Sequence, residues 1–167
     1  MKLPANLSQE LNNQVTHEFE SAYIYMGMEA YFLERNLKGF ANFFKVQGLE
    51  EQLHSRKFVD FLAERGEPVR YKALQEPSAR YTSIKEVFEA ALKHEQFISG
   101  RIELLMNLAK ETKDHASEIM LQWFVTEQVE EESSMQDILD KLALIGESGP
   151  GLMMLDAELG NREFTAE

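Results

Sequence analysis

The sequence predicts an all-α fold: a four-helix bundle with one long crossover connection and a short fifth helix at its C-terminal end. Three observations predict it. Four stretches of the chain carry apolar residues at alternating steps of three and four, the period of a bundle-facing helix. No stretch shows the sustained period-two alternation of a sheet. One connection, Glu67 to Thr82, is long and carries Pro68 and Pro77, whereas the other breaks are short polar turns.

The first helix is expected over about 7–35, with Asn6 or Ser8 as N-cap. Its seam is Leu11, Val15, Glu18, Ala22, Tyr25, Glu29 and Phe32, and Asn36-Leu37-Lys38-Gly39 breaks it. The second, about 39–65, has the seam Phe40, Phe44, Gln47, Glu51, His54, Phe58 and Phe61, with Gly66 as its stop. The third, about 83–111, opens on Ser83 with Glu86 three positions on, a capping box. Its seam runs Ile84, Phe88, Ala91, Glu95, Ile98, Ile102, Leu105 and Ala109. The fourth, about 114–145, presents Leu121, Phe124, Gln128, Glu131, Met135, Ile138, Leu142 and Ile145 before Gly146. Ser148-Gly149-Pro150-Gly151 keeps that helix ended, and a last small helix follows over about 151–159. A helix of roughly 28 residues is about 42 Å long, and sixteen extended residues reach about 53 Å. The crossover can therefore return along the whole bundle and leave helices two and three parallel.

Composition narrows the function. The chain has 167 residues, enough for one domain with a sizeable core. It carries 17 basic and 29 acidic residues, a net charge of −12, which argues against nucleic acid or an anionic membrane as partner. There is no cysteine, so disulfides, thiolate metal sites and cysteine nucleophiles are excluded. The N-terminal residues lack an apolar run of signal or membrane-spanning length, and a cytoplasmic location is expected.

Each seam is apolar except at one level. Glu18, Glu51 with His54, Glu95, and Gln128 with Glu131 are the intruders. Glu51 and His54 are three apart, so they share one helix face one turn apart. In each hairpin the midpoint of the intruders falls on the turn, near Asn36 and near Lys113, so the residues lie opposite one another. Four carboxylates and a histidine then converge in the core. Burying each as an unpaired ion costs several kcal/mol. Either they face outward against the seam phase, or all are protonated, or cations neutralise them. Four carboxylates balance two divalent ions, and oxygen ligands with one imidazole suit iron or manganese.

Three segments carry a family resemblance: Leu49 to His54 (LEEQLH), Lys93 to Gln96 (KHEQ) and Leu121 to Glu132 (LQWFVTEQVEEE). With them the chain resembles the bacterial and archaeal non-haem ferritins, ferritin-like di-iron carboxylate proteins. The resemblance implies that Glu18, Glu51 and His54 hold one iron, that Glu51 bridges to a second held also by Glu95 and reached by Glu131, and that Gln128 assists by hydrogen bonding. It implies a third iron site at Glu50, Glu127, Glu130 and Glu131, and a redox role for Tyr25 beside the pair. Trp123 is expected to pack, and a redox role for it is compatible with the resemblance. His94, off the seam, is expected at the surface. Where bacterioferritins and rubrerythrins carry a second Glu-x-x-His, this chain carries Gln128-x-x-Glu131, which favours a looser site through which iron passes. Gln52 stands where bacterioferritins place the haem-ligating methionine, so no haem is expected.

The implied function is iron storage with ferroxidase activity, taking Fe(II) and dioxygen or hydrogen peroxide. The implied assembly is a hollow shell of twenty-four copies, a homo-24-mer, with residues 152–159 lining a channel. Two other readings stay open: a peroxide-consuming di-iron protein, and a non-catalytic bundle whose buried acids stay protonated.

Overall fold

The protein is described by a computed structural model covering residues 2–165. Five helices follow in order: α1 (Ala5–Glu34), α2 (Lys38–Glu64), α3 (Ile84–Glu111), α4 (His115–Ile145) and α5 (Gly149–Leu159). No strand occurs among the described residues. None of their helices is long and apolar enough to cross a membrane.

Three helices end in the same way. Asn36, Gly66 and Lys113 take positive φ, at 57°, 71° and 54°. At each, two backbone N–H groups turn back onto the last helical carbonyls, as in Leu37 to Phe32 (3.1 Å) and Glu67 to Leu62 (2.9 Å). This is the Schellman arrangement, which satisfies the otherwise orphaned carbonyls. Gly66 adopts the conformation without a Cβ penalty; Asn36 and Lys113 adopt it in turns only a few residues long.

The helix starts are less uniform. Ser83 accepts from Glu86 N (3.1 Å), as the capping box predicts, but the Glu86 carboxylate reaches back to Thr82 N (2.5 Å) instead of to Ser83. Asn6 and Ser8 do not cap α1, which starts earlier, after Pro4. Ser8 Oγ is engaged elsewhere, donating to Glu67 (2.8 Å). The segment expected only to keep α4 ended in fact starts α5: Ser148 accepts from Gly151 N (3.2 Å), and Pro150 occupies the first turn, where its missing N–H costs nothing. Asp114 caps α4 through Ser117 N (3.0 Å) and also receives two bonds from Arg65, at 2.8 and 2.7 Å. The Arg65 guanidinium holds its carboxyl well below the usual range.

The pairing of side chains fixes the topology. Along α1 and α3, Glu10 meets Arg101, Ser21 meets His94 and Tyr25 meets Glu95, so these helices are antiparallel. Along α2 and α4, Gln47 meets Glu131 and Phe58 stacks on Phe124, again antiparallel. With α1–α2 and α3–α4 as hairpins, α2 and α3 run parallel, as the crossover length predicts. The crossover lies along α1. Arg70 N donates to Asn12 Oδ1 (2.8 Å), Tyr71 packs on Phe19, and a Cβ on Gly27 would lie 2.6 Å from the Ser78 carbonyl oxygen.

The core is two apolar clusters with a polar layer between them. One is aromatic, with Phe32, Phe40, Phe44 and Phe88 packed ring on ring beside Met135 and Ile138. The other is mostly aliphatic, with Leu7, Leu11, Val15, Leu62, Ile102 and Leu121 around the Phe58–Phe124 stack. Each buried Phe or Leu contributes about 1.5–3 kcal/mol. That is the reserve against which a polar layer can be tolerated.

Helix α5 extends the aromatic cluster through Leu155 and Leu159. Its Asp156 accepts from the backbone N–H groups of Gly39 (2.9 Å) and Phe40 (3.0 Å). Leu37, the α2 N-cap residue, offers no side-chain acceptor, so α5 supplies the cap that α2 lacks. The approach is close enough that a Cβ on Gly39 would sit 1.6 Å from the Asp156 carbonyl oxygen. Gly39→Ala is therefore expected to push α5 off α2 and to cost about 3 kcal/mol, the upper range of overpacking. Thermal denaturation of the variant checks this; an unchanged midpoint would contradict it.

Candidate metal centre

The polar layer is built by one turn from each long helix. Glu18 and Glu51 are 1% exposed, His54 2%, Glu95 0%, Glu131 4% and Gln128 5%, so the seam phase holds and none faces outward. The hairpin geometry brings Glu18 to Glu51 and His54, and the second hairpin brings Glu95 and Glu131 to the same depth.

Ligand atoms of Glu18, Glu51 and His54 lie within 4.8 Å of one another. His54 Nδ1 is 3.3 Å from Glu51 Oε2. Glu18 Oε2 and Glu51 Oε2 are buried and accept no hydrogen bond. Bare carboxylate oxygens in a core are costly, and a cation is the group that would satisfy them. A second group, His54, Glu127 and Glu131, adjoins the first, with His54 Nε2 3.9 Å from Glu127 Oε1. The imidazole thus stands between two acidic groups, one on each ring nitrogen.

Four other oxygens of the layer are held by neutral donors. Gln14 Nε2 donates to Glu18 (2.9 Å), Gln47 Nε2 to Glu131 (2.7 Å), and Gln128 Nε2 to Glu95 Oε2 (3.1 Å). The Tyr25 hydroxyl donates to Glu95 Oε1 in a short bond. Sequence reasoning missed Gln14 and passed over Gln47 as an ordinary seam position. Gln14 lies one helical turn ahead of its acceptor Glu18, and that spacing is the available signal; Gln47 serves Glu131 on another helix, which no spacing along α2 reveals.

Electrostatics show what the cluster lacks. Burial raises the Glu18 carboxyl well above its ordinary range, and the Glu51 charge adds to the rise. Burial does the same to Glu51, helped by Glu95 and Glu131. Burial and then Glu131 push Glu95 up to about 8. Burial without a cation thus disfavours the ionised form of each of these acids, and a bound cation would favour it.

The residues expected at a third site are distributed unevenly. Glu127 is half-buried and joins His54 and Glu131 in the second group; Glu50 is half-buried and Glu130 exposed, and neither belongs to either group. Burial pushes Glu50 up to about 7 against the pull of Arg162, whose guanidinium lies 2.6 Å from Glu50 Oε2. His94 is not the surface residue its position off the seam suggests. Its ring is half-buried between α1 and α3, Nε2 lies 2.7 Å from Ser21 Oγ, and burial lowers its pKa to about 4. Tyr25 is fully buried, with its ring edge-on to His94. Trp123 packs edge-on to His54 and Phe124, with Lys57 Nζ 4.1 Å above its ring.

Known proteins share both the fold and the length. The chain is 38% identical over 165 residues to a bacterial non-heme ferritin of Staphylococcus aureus, covering 99% of each protein, and 38% identical to that of Staphylococcus haemolyticus. An open pore ferritin from the hyperthermophilic archaeon Archaeoglobus fulgidus superposes with a TM-score of 0.96 at 42% identity, covering 97% of this chain and all of that one. A closed form of the same archaeal ferritin, engineered by mutagenesis, matches with a TM-score of 0.96 at 43% identity. With the family model of the ferritin-like domain matching residues 8–145 as well, the chain belongs to the ferritin family.

Proposed function

We propose that the protein stores iron and oxidises it on entry, taking two Fe(II) ions per chain as substrate in the buried layer. The observation that carries this is the pair of unpartnered, fully buried oxygens, Glu18 Oε2 and Glu51 Oε2, beside His54 Nδ1. Glu18, Glu51 and His54 take the first ion. Glu51 bridges to the second, which Glu95 and Glu131 complete.

Binding and oxidation follow from the same groups. As each ion enters, the raised carboxyls release their protons, and the resulting anions favour Fe(III) over Fe(II) because the higher charge gains more from them. Two ferrous ions side by side deliver two electrons together. Dioxygen then becomes hydrogen peroxide by taking two electrons and two protons; hydrogen peroxide as oxidant becomes two waters in the same way. Protons released by the glutamates are available for this step. His54 Nδ1, 3.3 Å from Glu51 Oε2, is the ring nitrogen turned to the first ion, and Nε2 faces Glu127 at 3.9 Å. Gln47, Gln128 and Tyr25 hold the outer carboxylate oxygens by neutral hydrogen bonds, which restrain them without blocking release. The third site at Glu50, Glu127 and Glu131, with Glu130 at its exposed margin, receives iron on its way to a ferric oxyhydroxide mineral inside a homo-oligomeric shell. Tyr25, hydrogen-bonded to a ligand of the second ion, is placed to supply an electron.

The test is to add Fe(II) in air to the purified protein and follow ferric absorbance. Fast oxidation of about two ions per chain is expected, on a particle far larger than the 19.3 kDa chain by size exclusion. Oxidation no faster than in buffer, or unaffected by combining His54→Ala with Glu95→Ala, would overturn the assignment.

A further inference from the structure

We propose that Arg162 tunes how tightly the outer acidic group binds a cation, by holding the Glu50 carboxylate until a third ion displaces it. This rests on the reading of the buried layer as an iron-binding pair with a third site beside it.

The tail after α5 is fixed at this point from several directions. Asn42 Nδ2 donates to the carbonyl oxygens of Leu159 (3.2 Å) and Arg162 (2.9 Å). The Arg162 guanidinium lies over the Phe43 ring, 4.5 Å from its centroid, and one nitrogen reaches Glu50 Oε2 at 2.6 Å. Both side chains are partly shielded, at 27% and 19% exposure, so the pair is screened less than a surface ion pair. Yet the grip is incomplete. Arg162 Nη1 is buried with no partner, so a fork able to hold two oxygens holds one. A divalent ion offers Glu50 more charge than this single-point contact does.

Glu50 adjoins Glu51 in sequence, and its carboxylate lies where Glu131, Glu127 and His54 all act on its charge. A fixed positive charge in contact with a carboxylate that adjoins that group weakens the group's pull on another cation. Arg162 thus makes the third position a loose one, suited to passing an ion on. Its tether is α5, itself locked to α2 through Asp156, so the docking of α5 sets where the guanidinium sits.

The experiment is an anaerobic equilibrium titration of the assembled full-length protein with Co(II), which stays divalent under these conditions. Wild type is expected to take two tight ions and one weaker ion per chain. Arg162→Gln should tighten the third step about tenfold, a modest share of what a unit charge exerts at contact, and leave the first two steps in place. Arg162→Lys, which keeps the charge, should change it less. In a Glu50→Gln background, Arg162→Gln should have no further effect on the third step. A third step unchanged or weakened in Arg162→Gln overturns the proposal, as does an effect that survives in the Glu50→Gln background. Two tight ions with no third in wild type would sink the role of Arg162 and spare the iron pair. Failure to bind two ions would sink both.

Discussion

Glu51→Ala is expected to slow the fast phase of ferrous oxidation by at least about a hundredfold. Loss of an outer partner of a metal ligand already costs up to roughly that much, and Glu51 is the one carboxylate assigned to both ions. Its Oε2 accepts no hydrogen bond in the folded chain and lies 3.3 Å from His54 Nδ1, so no protein donor competes with iron for it. Removing it leaves Glu18 and His54 without a bridge to Glu95 and Glu131. The helices should survive, because the variant deletes a buried acid and no apolar contact of either core cluster. Stopped-flow absorbance after mixing with Fe(II) in air gives the rate, and circular dichroism gives the fold. A variant that oxidises two ions per chain at the parent rate would remove Glu51 from its assigned role.

The second large effect concerns pH. In the metal-free protein the carboxyls of Glu18, Glu51 and Glu95 all lie above their ordinary range, burial being the main cause. In the unfolded chain they return to about 4.3. Between about pH 4.3 and the raised folded values, the folded state binds more protons than the unfolded one. Stability then falls as pH rises. For Glu95 the window closes near pH 8. Metal-free protein should therefore gain stability, on the order of a few kcal/mol, when acidified from pH 8 towards pH 5. This is the reverse of what salt-bridged carboxylates produce. Zn(II) should abolish the trend, because bound metal keeps the acids ionised and raises stability most at high pH. Glu95→Gln should flatten the metal-free slope, raise the midpoint at pH 8 and shrink the gain from Zn(II). Urea midpoints across this range decide it. A metal-free protein that weakens steadily on acidification from pH 8 would show that the layer is charged and satisfied without metal.

Much of this was legible in the sequence, for one physical reason. A polar residue on an apolar seam is costly, so its position carries information that a surface residue does not. The seams place the helix ends within one or two residues of where they fall, and the equal distances of Glu18 and His54 from Asn36 pair the two. The crossover length led correctly to parallel α2 and α3. The failures have particular causes. Ser8 has the right chemistry for a cap, but propensity cannot foresee that Glu67 returns along α1 to claim its hydroxyl. His94 lies one residue from the seam, about 100° around the helix, and α1 packs against that flank of α3 too. A single seam per helix describes two-fold contacts, whereas each bundle helix touches two neighbours. Gln14 and Gln47 were overlooked because amides are common on helices; Gln14 serves Glu18 one turn along its own helix, whereas Gln47 serves Glu131 across the core. The start of α5 was misplaced because Gly-Pro-Gly was read as a stop, although proline is equally at home in a first turn.

The sandwiching of a polar stratum between two oily ones has a further effect. Slide a rod by a single turn, and an apolar side chain (Val15, Phe58, Ile98 or Phe124, depending on the rod) would be thrust among acids while a carboxylate entered grease, with no donor to meet it. Neighbouring alignments that would be nearly equivalent in a uniformly greasy bundle are thereby made distinct. The same side chains that make the centre chemically useful also act as a key in its slot, fixing the lengthwise alignment of all four rods before any ion arrives.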